Sequence, residues 1–566
     1  MEIIHIIQIS ILVFLFVIFK KILNYYLLKE KLSKKNKYQE VDVKHKFNQE
    51  EIPKKIDYLI IGAGTSGLTA AAVLSKLKYK VLVLESLGKC GGTLHTFGKN
   101  KIFEFDTGIH YLGNNKLMRK LLEYICSKPI VWKQYDKFDT VKLGKDTFEF
   151  SAPQNSFFGE LFQKFPENKN EIQKYIQLSQ RAVRLYRWLT IYMFFPKLVQ
   201  ISIEFLLRNL FSDVYGKSTL QVFDEIGISK NKKLAFLLNI NVGQMLGANS
   251  ENTPFILHAS YLQPFIKKGQ IYPEGGPKQI VQSLMSTIQS NKGVIMMKSK
   301  VQKIIVKNNA VTGILVNDIE IPVKNIISSA GIETTRSLLD PDHSKLLENK
   351  YTQKNDEIQK EGQDFNTFYM FYGIKSEAIK NPITENTWVL PQNKDYSQLS
   401  YDQYLQKYSK SVNLKEIIHF ISFPSYKSNP QSETISVTHI GHASRKMVEK
   451  YYKQGENKKR EEGYKEFKEE LEKEMTSVFL ENFPQFKDKI EATVVATPLT
   501  IQTYYNRKQP YGLALQTQKV FDINHFRETF TYINGLYLTG QDTAYAGVFQ
   551  AVLMGYISAL KASYYL

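Results

Sequence analysis

Three glycines in the series Gly62-Ala-Gly64-Thr-Ser-Gly67, with an acid at Glu85, are the residues whose types and spacing most directly imply chemistry. Glycine at the first position permits a tight turn, and at the second it lets the backbone approach a pyrophosphate. At the third it allows a helix to pack closely on a strand. A helix beginning there offers unpaired N–H groups and the positive end of its dipole to phosphate. An acid about 20 residues further on accepts hydrogen bonds from a ribose diol. The implied chemistry is the grip of an adenosine diphosphate unit.

The elements needed to position these residues are legible around them. Asp57-Tyr-Leu-Ile-Ile61 is a short apolar strand that runs into the glycines. Leu68-Thr-Ala-Ala-Ala-Val-Leu-Ser-Lys-Leu77 has a helical pattern, and Lys80-Val-Leu-Val-Leu-Glu85 is a second strand. This is the start of a βαβ unit. Flavin and nicotinamide dinucleotides both carry the unit it grips, so the fingerprint alone does not choose between them. Further landmarks are Gly91-Gly92, Phe105-Asp106-Thr-Gly-Ile-His110-Tyr111 and, far along the chain, Leu536-Tyr-Leu-Thr-Gly540-Gln-Asp542 before a helical pattern near Gly547. A ligand touched at both ends of the chain is long, or is held by a discontinuous domain. FAD fits that better than a nicotinamide.

With 566 residues, 43% hydrophobic and 23% charged, the chain has the composition of an ordinary globular protein. Its two cysteines, Cys90 and Cys126, exclude a disulfide framework and a thiolate-rich metal site. No metal ligands are assigned. No nucleophile–His–acid constellation and no HExxH pattern is present, so hydrolase and zinc-enzyme chemistry lack support. The formal charge is +20. Without a zinc-finger spacing, a basic helix with heptads or an aromatic–basic RNA motif, this charge suits a membrane surface better than nucleic acid, which is not expected as a partner.

Residues 3–19 form an apolar run broken only by His5, Gln8 and Ser10 and followed by Lys20 and Lys21. Seventeen helical residues reach roughly 26 Å, close to the hydrocarbon core of a thin bilayer. A cleaved signal peptide would want a basic start, whereas this one is Met1-Glu2; a buried core helix is the remaining alternative. The expectation is a single uncleaved anchor. Because the lysines all follow the run, the body is expected on the cytosolic side. Residues 157–211 read as helical, with Arg181, Arg184 and Arg187 recurring at threes beside an aromatic stretch from Trp188. That pattern suits either an interfacial helix at the mouth of a lipid-entry tunnel or an ordinary core helix. The charged run at 450–473 reads as a solvated helix face.

At these landmarks the sequence resembles the all-trans-retinol 13,14-reductases (retinol saturases), within the carotenoid isomerase and phytoene desaturase group of flavoproteins. The segments that carry the resemblance, besides the glycine loop, are Gly91-Gly-Thr-Leu-His-Thr-Phe97, Glu104-Phe-Asp-Thr-Gly-Ile-His-Tyr111, Phe420-Ile-Ser-Phe-Pro-Ser425, Ala496-Thr-Pro-Leu-Thr500 and Leu538-Thr-Gly-Gln-Asp542. Thr93-Leu94 and Thr543-Ala-Tyr-Ala546 depart from the family's usual residues, and the tract 506–512 is only loosely similar. The resemblance implies an α/β fold: a discontinuous Rossmann-like FAD-binding domain with an inserted α+β substrate domain. The N-terminal membrane helix is added to that fold. The boundaries expected are an anchor at 1–28, a linker at 29–55, and FAD-binding pieces at 56–150, 261–345 and 491–566. Between these lie a helical substrate or membrane-facing part at 151–260 and a substrate domain at 346–490. Location at the endoplasmic reticulum membrane goes with this reading.

The reaction implied is saturation of one double bond of a retinoid or other polyene lipid, with hydride from the flavin. The protein's tasks are then to orient the polyene and exclude water. By the resemblance, Gly62, Gly64, Gly67, Glu85, Gly91, Gly92, Asp106, Val301, Gly540, Asp542 and Gly547 bind the cofactor, Val301 near the adenine. A helix starting near Gly547 would turn its positive end toward the flavin. His110 and Tyr111 are the candidates for proton delivery or substrate positioning, because they follow the flavin-proximal Asp106-Thr-Gly108. His95 is the next candidate. Cys90, with no base beside it, reads as an inert thiol. No second nucleotide fingerprint is present, so the electron donor stays open between transient NAD(P)H, a partner reductase and a membrane carrier. Rival readings with the same fold are a carotenoid or phytoene desaturase, a carotenoid cis–trans isomerase and an amine oxidase. A membrane tether without turnover is the non-enzyme alternative.

Overall fold

The structure is a computed structural model that describes residues 45–100, 102–192, 197–246, 249–351, 365–375, 382–408, 413–452, 462–505 and 529–563. Short apolar runs become strands where neighbours take up their backbone groups, and five of them do this for one another. In spatial order these are Val294–Met296, Val81–Leu84, Tyr58–Ile61, Ile326–Ser328 and Leu536–Leu538, every pair parallel. Parallel sheets are covered on both faces, and side chains alternate between those faces. Tyr58, Ile60, Val81 and Val83 pack with the helices Thr65–Lys76, Lys278–Ser290 and Val548–Ala562. Leu59, Ile61, Leu82 and Leu84 face an antiparallel meander of Val301–Lys307, Ala310–Val316 and Ile319–Pro322. Its turns are Asn308-Asn309 and Asn317-Asp318, all four at positive φ, the backbone that a two-residue hairpin turn requires.

A second sheet has seven strands, in the order Ile490–Ala496, Phe365–Lys375, Thr434–Ser444, His419–Ser422, Asn386–Val389, Lys137–Leu143 and Asp146–Ser151. All pairs are antiparallel except Asn386–Val389 with Lys137–Leu143, which aligns Asn386 with Asp139. Phe138, Val141, Trp388 and Phe420 face a layer of helices. That layer includes Gln154–Lys164, Lys169–Tyr192, Lys232–Leu246 and Phe255–Lys268. On the other side Tyr372, Ile421 and Val437 pack against Leu471, Met475 and Phe479. These last three lie on the helix Tyr464–Asn482, which begins inside the charged run and keeps most of its charged residues at the surface.

The helical reading of 157–211 is met by three helices, the last being Lys197–Leu210. Arg184 and Arg187 are exposed beside half-exposed Trp188, whereas Arg181 pairs with Asp213. Two expectations are corrected. No helix among the described residues is long and apolar enough to cross a membrane. The longest, Lys169–Tyr192, carries lysines, arginines and a glutamate along its length. The N-terminal membrane helix therefore leaves the fold class, and the anchored endoplasmic reticulum location, with a cytosolic body, loses its basis. The segment 1–28 itself lies outside the described residues.

Candidate functional site

The first strand delivers the chain into a turn that only glycine fits. Gly62 has φ +92°, and a Cβ on Gly67 would stand 2.2 Å from the Gly62 carbonyl oxygen. Gly64 caps the helix Thr65–Lys76 without any side-chain hydrogen bond, so the N–H groups of the first turn stay available to an anion. Glu85 closes the second strand beside this turn. Its carboxylate accepts from the Ala63 and Leu87 N–H groups, each at 2.8 Å, and burial raises its pKa from the ordinary value. The acid thus stiffens the glycine turn. Gly91 and Gly92, at φ +116° and +56°, lay the next loop against the turn, with the Gly91 N–H donating to the Ala63 carbonyl at 2.8 Å. A Cβ on Gly92 would come 3.2 Å from the Gly64 Cα.

The C-terminal landmarks arrive at the same place. Gly540, at φ +109°, leaves a Cβ only 3.2 Å from the Ser66 hydroxyl. Asp542 accepts from the Ile332 N–H at 2.9 Å, which ties its turn to the end of the fourth strand of the sheet. Gly547, at φ +123°, caps the helix Val548–Ala562 with no side-chain hydrogen bond and with open space where its Cβ would be. Gly555 was missing from the sequence-derived set. A Cβ there would meet the Ser66 carbonyl oxygen at 2.4 Å, so it sets the close crossing of the two glycine-capped helices. Val301 begins the meander and is buried with Leu82 and Leu84, under the strand that carries Glu85.

These residues fit a dinucleotide. Two uncapped helix N-termini lie on helices that cross, glycine lines the approach, and room remains beside Gly547. The thiols play no visible part: burial pushes both Cys90 and Cys126 up to about 12. The His95 ring hydrogen-bonds the Gly92 carbonyl at 2.6 Å, and burial lowers its pKa.

Beyond the glycine loops lies a buried polar centre. The Thr107 hydroxyl donates to the carbonyls of Thr93 and His95, which fastens the Asp106–Tyr111 segment to the second glycine loop. Asp106 is buried and accepts from the Tyr272 hydroxyl; burial raises its carboxyl to about 7. His110 is buried with its ring Nδ1 unpartnered, and burial drives it down to about 3, so the ring is neutral. The Tyr111 hydroxyl is 3.3 Å from Asp139, which also accepts from Asn241 at 2.6 Å and from Asn386 at 3.2 Å. The Lys427 ammonium, fully buried, donates to Ser422 and Asn386 at 2.5 Å and to the His110 carbonyl at 2.8 Å. Asp139, Asn386 and Lys427 were not anticipated. They come from strands and a short helix far apart in sequence, and a lysine after Pro424-Ser425 carries no local sign of burial.

Residues 60–125 match the family described as NAD(P)-binding Rossmann-like domain. The chain is 28% identical over 559 residues to the all-trans-retinol 13,14-reductase of Macaca fascicularis, with 92% of this chain and 88% of the relative covered. It is 26% identical over 538 residues to the chloroplastic prolycopene isomerase of Daucus carota, covering 87% and 77%. Among solved structures it superposes on putrescine oxidase bound to putrescine with a TM-score of 0.56 at 12% identity, covering 89% and 98% of the chains. That last likeness concerns the fold alone. The glycine cradle, the match to the Rossmann-like domain and the similarity to the retinol reductases together mark a Rossmann-fold oxidoreductase of the FAD/NAD(P)-binding superfamily. Similarity to all-trans-retinol 13,14-reductases also recurs in Danio rerio, Homo sapiens and Rattus norvegicus. Over about nine-tenths of its length the chain is thus consistently similar to all-trans-retinol 13,14-reductases, with the carotenoid isomerases a further likeness.

Proposed function

We propose that this protein is an FAD-dependent oxidoreductase that saturates one carbon–carbon double bond of a retinoid or related polyene lipid. The similarity to all-trans-retinol 13,14-reductases over nine-tenths of the chain carries the reading. It is supported by a cradle whose walls come from both ends of the sequence, the arrangement a long flavin dinucleotide needs. When bound, FAD supplies the capacity to give or take a hydride. The chain's own residues do the rest. Gly62, Gly64, Gly67, Glu85, Gly91, Gly92, Gly540 and Asp542 hold the dinucleotide, with Val301 on its adenine side. The uncapped helix end at Gly547 would favour negative charge on a group bound beside it. A buried aromatic cluster of Tyr111, Phe265, Phe420 and Trp388 packs beside the polar centre and keeps it dry. Electrons reach the site from NAD(P)H or from a partner reductase.

An anaerobic assay with chemically reduced enzyme and a panel of polyenes tests the reading, after the visible spectrum of the purified protein has identified the cofactor. Shortened conjugation in the product supports reduction. Lengthened conjugation replaces it with desaturation. Unchanged conjugation replaces it with isomerisation, a second reading favoured by the prolycopene isomerase likeness. Folded, colourless protein that takes up no FAD would remove both.

A further inference from the structure

The polar centre divides unequally between its two candidate proton donors. His110 has a ring that burial keeps neutral and whose Nδ1 has no hydrogen-bond partner, and its main-chain carbonyl is taken by Lys427. Tyr111 has a hydroxyl linked to a buried carboxyl, and its ring packs on Phe265 and Phe420 at 4.8 and 5.9 Å within the apolar cluster. Only a few residues separate it from Thr107, which is fastened to the glycine loop. We propose that Tyr111 is the proton-donating group of the reduction, and that Asp139 and Lys427 are positioning residues that hold its hydroxyl and set the pH at which it gives up its proton. This rests on the reduction reading above.

In the balanced step the double bond takes a hydride, with its electron pair, at one carbon from the reduced flavin. The neighbouring carbon takes the proton of the Tyr111 hydroxyl. The Asp139 carboxyl passes its own proton to the phenol oxygen in the same step, and solvent restores that carboxyl between turnovers. Burial suits each partner to its task. Tyr111 is raised well above its ordinary value, chiefly by burial, and so remains a phenol until a base appears. Asp139 is pushed up to about 7 by burial, against hydrogen bonds that favour its ionised form. Lys427 is lowered to about 7 by burial, opposed by nearby carboxylates. The groups facing Asp139 are Tyr111, Tyr261, Trp388, Asn241, Asn386 and Lys427. Those facing Lys427 are Asp139, Asp106, Glu385, His110 and the Tyr111 ring. Asp106 in turn faces Tyr272, Glu104 and Lys278.

The test is single turnover of flavin-loaded enzyme, reduced anaerobically and mixed with polyene between about pH 5 and pH 9. The wild-type rate is expected to fall as pH rises past about 7, where Asp139 loses its proton. Tyr111→Phe should lose about 10²- to 10⁴-fold, the usual contribution of a general acid. Asp139→Asn should lose rate and no longer show the alkaline limb near 7, which a purely structural role would leave in place. A second readout needs no turnover: denaturant unfolding of the full-length protein as purified. A carboxyl raised from 3.8 to about 7 adds stability that is full below about pH 4 and lost as pH rises through 7. The wild-type advantage over Asp139→Asn should therefore shrink across that window. A Tyr111→Phe rate within threefold of wild type, an unmoved alkaline limb in folded Asp139→Asn, or a flat stability difference would each overturn the proposal. If flavin-loaded wild type saturates no polyene, the reduction reading falls and the donor role with it, while the stability difference still reports whether the pair titrates as described.

Discussion

The nucleotide cradle and the polar centre are built from opposite materials. The cradle is nearly all backbone: glycines at positive φ, amide groups at uncapped helix ends and carbonyls too close for a Cβ. The centre is nearly all side chain: a fully buried lysine, fully buried Asp139 and Asn386, and a buried tyrosine, drawn from four separate elements or loops. Backbone donors do not titrate, so substitutions in the cradle act through volume and φ. Groups in the centre do titrate, so substitutions there act through charge and proton count, and their effects depend on pH. One region fixes where a ligand lies; the other is suited to timing a proton.

The contrast breaks or sharpens under four substitutions. Lys427→Met removes a cation that satisfies three acceptors and offsets Asp139 and Asp106. Breaking a buried charged network from one side costs about 3–5 kcal/mol, to be read as a loss of that size in denaturant unfolding. A loss under 1 kcal/mol would show that the centre tolerates charge removal as a surface does. Gly67→Ala places a methyl group 2.2 Å from a carbonyl oxygen and should cost about 1–3 kcal/mol at every pH, together with FAD uptake seen by visible absorbance. A pH-dependent loss here would erase the distinction between the regions.

The third substitution concerns the buried chain Tyr372–His439–His419–Leu414. The His419 Nε2–H donates to the Leu414 carbonyl at 2.9 Å, so its Nδ1 accepts from His439 at 3.0 Å, whose other nitrogen accepts from the Tyr372 hydroxyl at 3.4 Å. Burial lowers His419 to about 4 from an ordinary 6.5. Its contribution to stability is thus present above 6.5 and lost as pH falls through 4. His419→Gln should lie below wild type in thermal midpoint at neutral pH, with the gap closing on acidification. A gap that widens would mean the chain carries a proton. The smallest effect belongs to Tyr186→Phe. It removes one hydroxyl from a triad in which Tyr186 and Tyr545 share a 2.7 Å hydrogen bond and Gln550 donates to both at 2.8 Å. A loss of about 1 kcal/mol is expected by calorimetry.

The same difference of material decides what could be read from the sequence. Gly62, Gly64, Gly67 and Glu85 declare themselves because a local turn, helix and strand position all of them within one βαβ unit. The turns at Asn308-Asn309 and Asn317-Asp318 are equally local, since two residues that tolerate positive φ stand between apolar runs. Asp139 and Lys427 were not, because only the parallel pairing of Lys137–Leu143 with Asn386–Val389 brings Asp139 to Asn386 and so to Lys427. Gly555 escaped because a glycine inside a helix is explained only by the helix that crosses it. The apolar run at 3–19 prompted a membrane-spanning reading that nothing among the described residues sustains. Hydrophobicity alone names no destination.

The strand Leu536–Leu538 completes the parallel sheet at one edge, though its neighbour Ile326–Ser328 is made about two hundred residues earlier. During synthesis that neighbour must therefore wait with an open edge, a condition that invites pairing with foreign strands. The nascent protein has reason to need shielding until residue 538 has been made. A premature stop shortly before it would then forfeit more than a tail: it would leave a permanent template for aggregation.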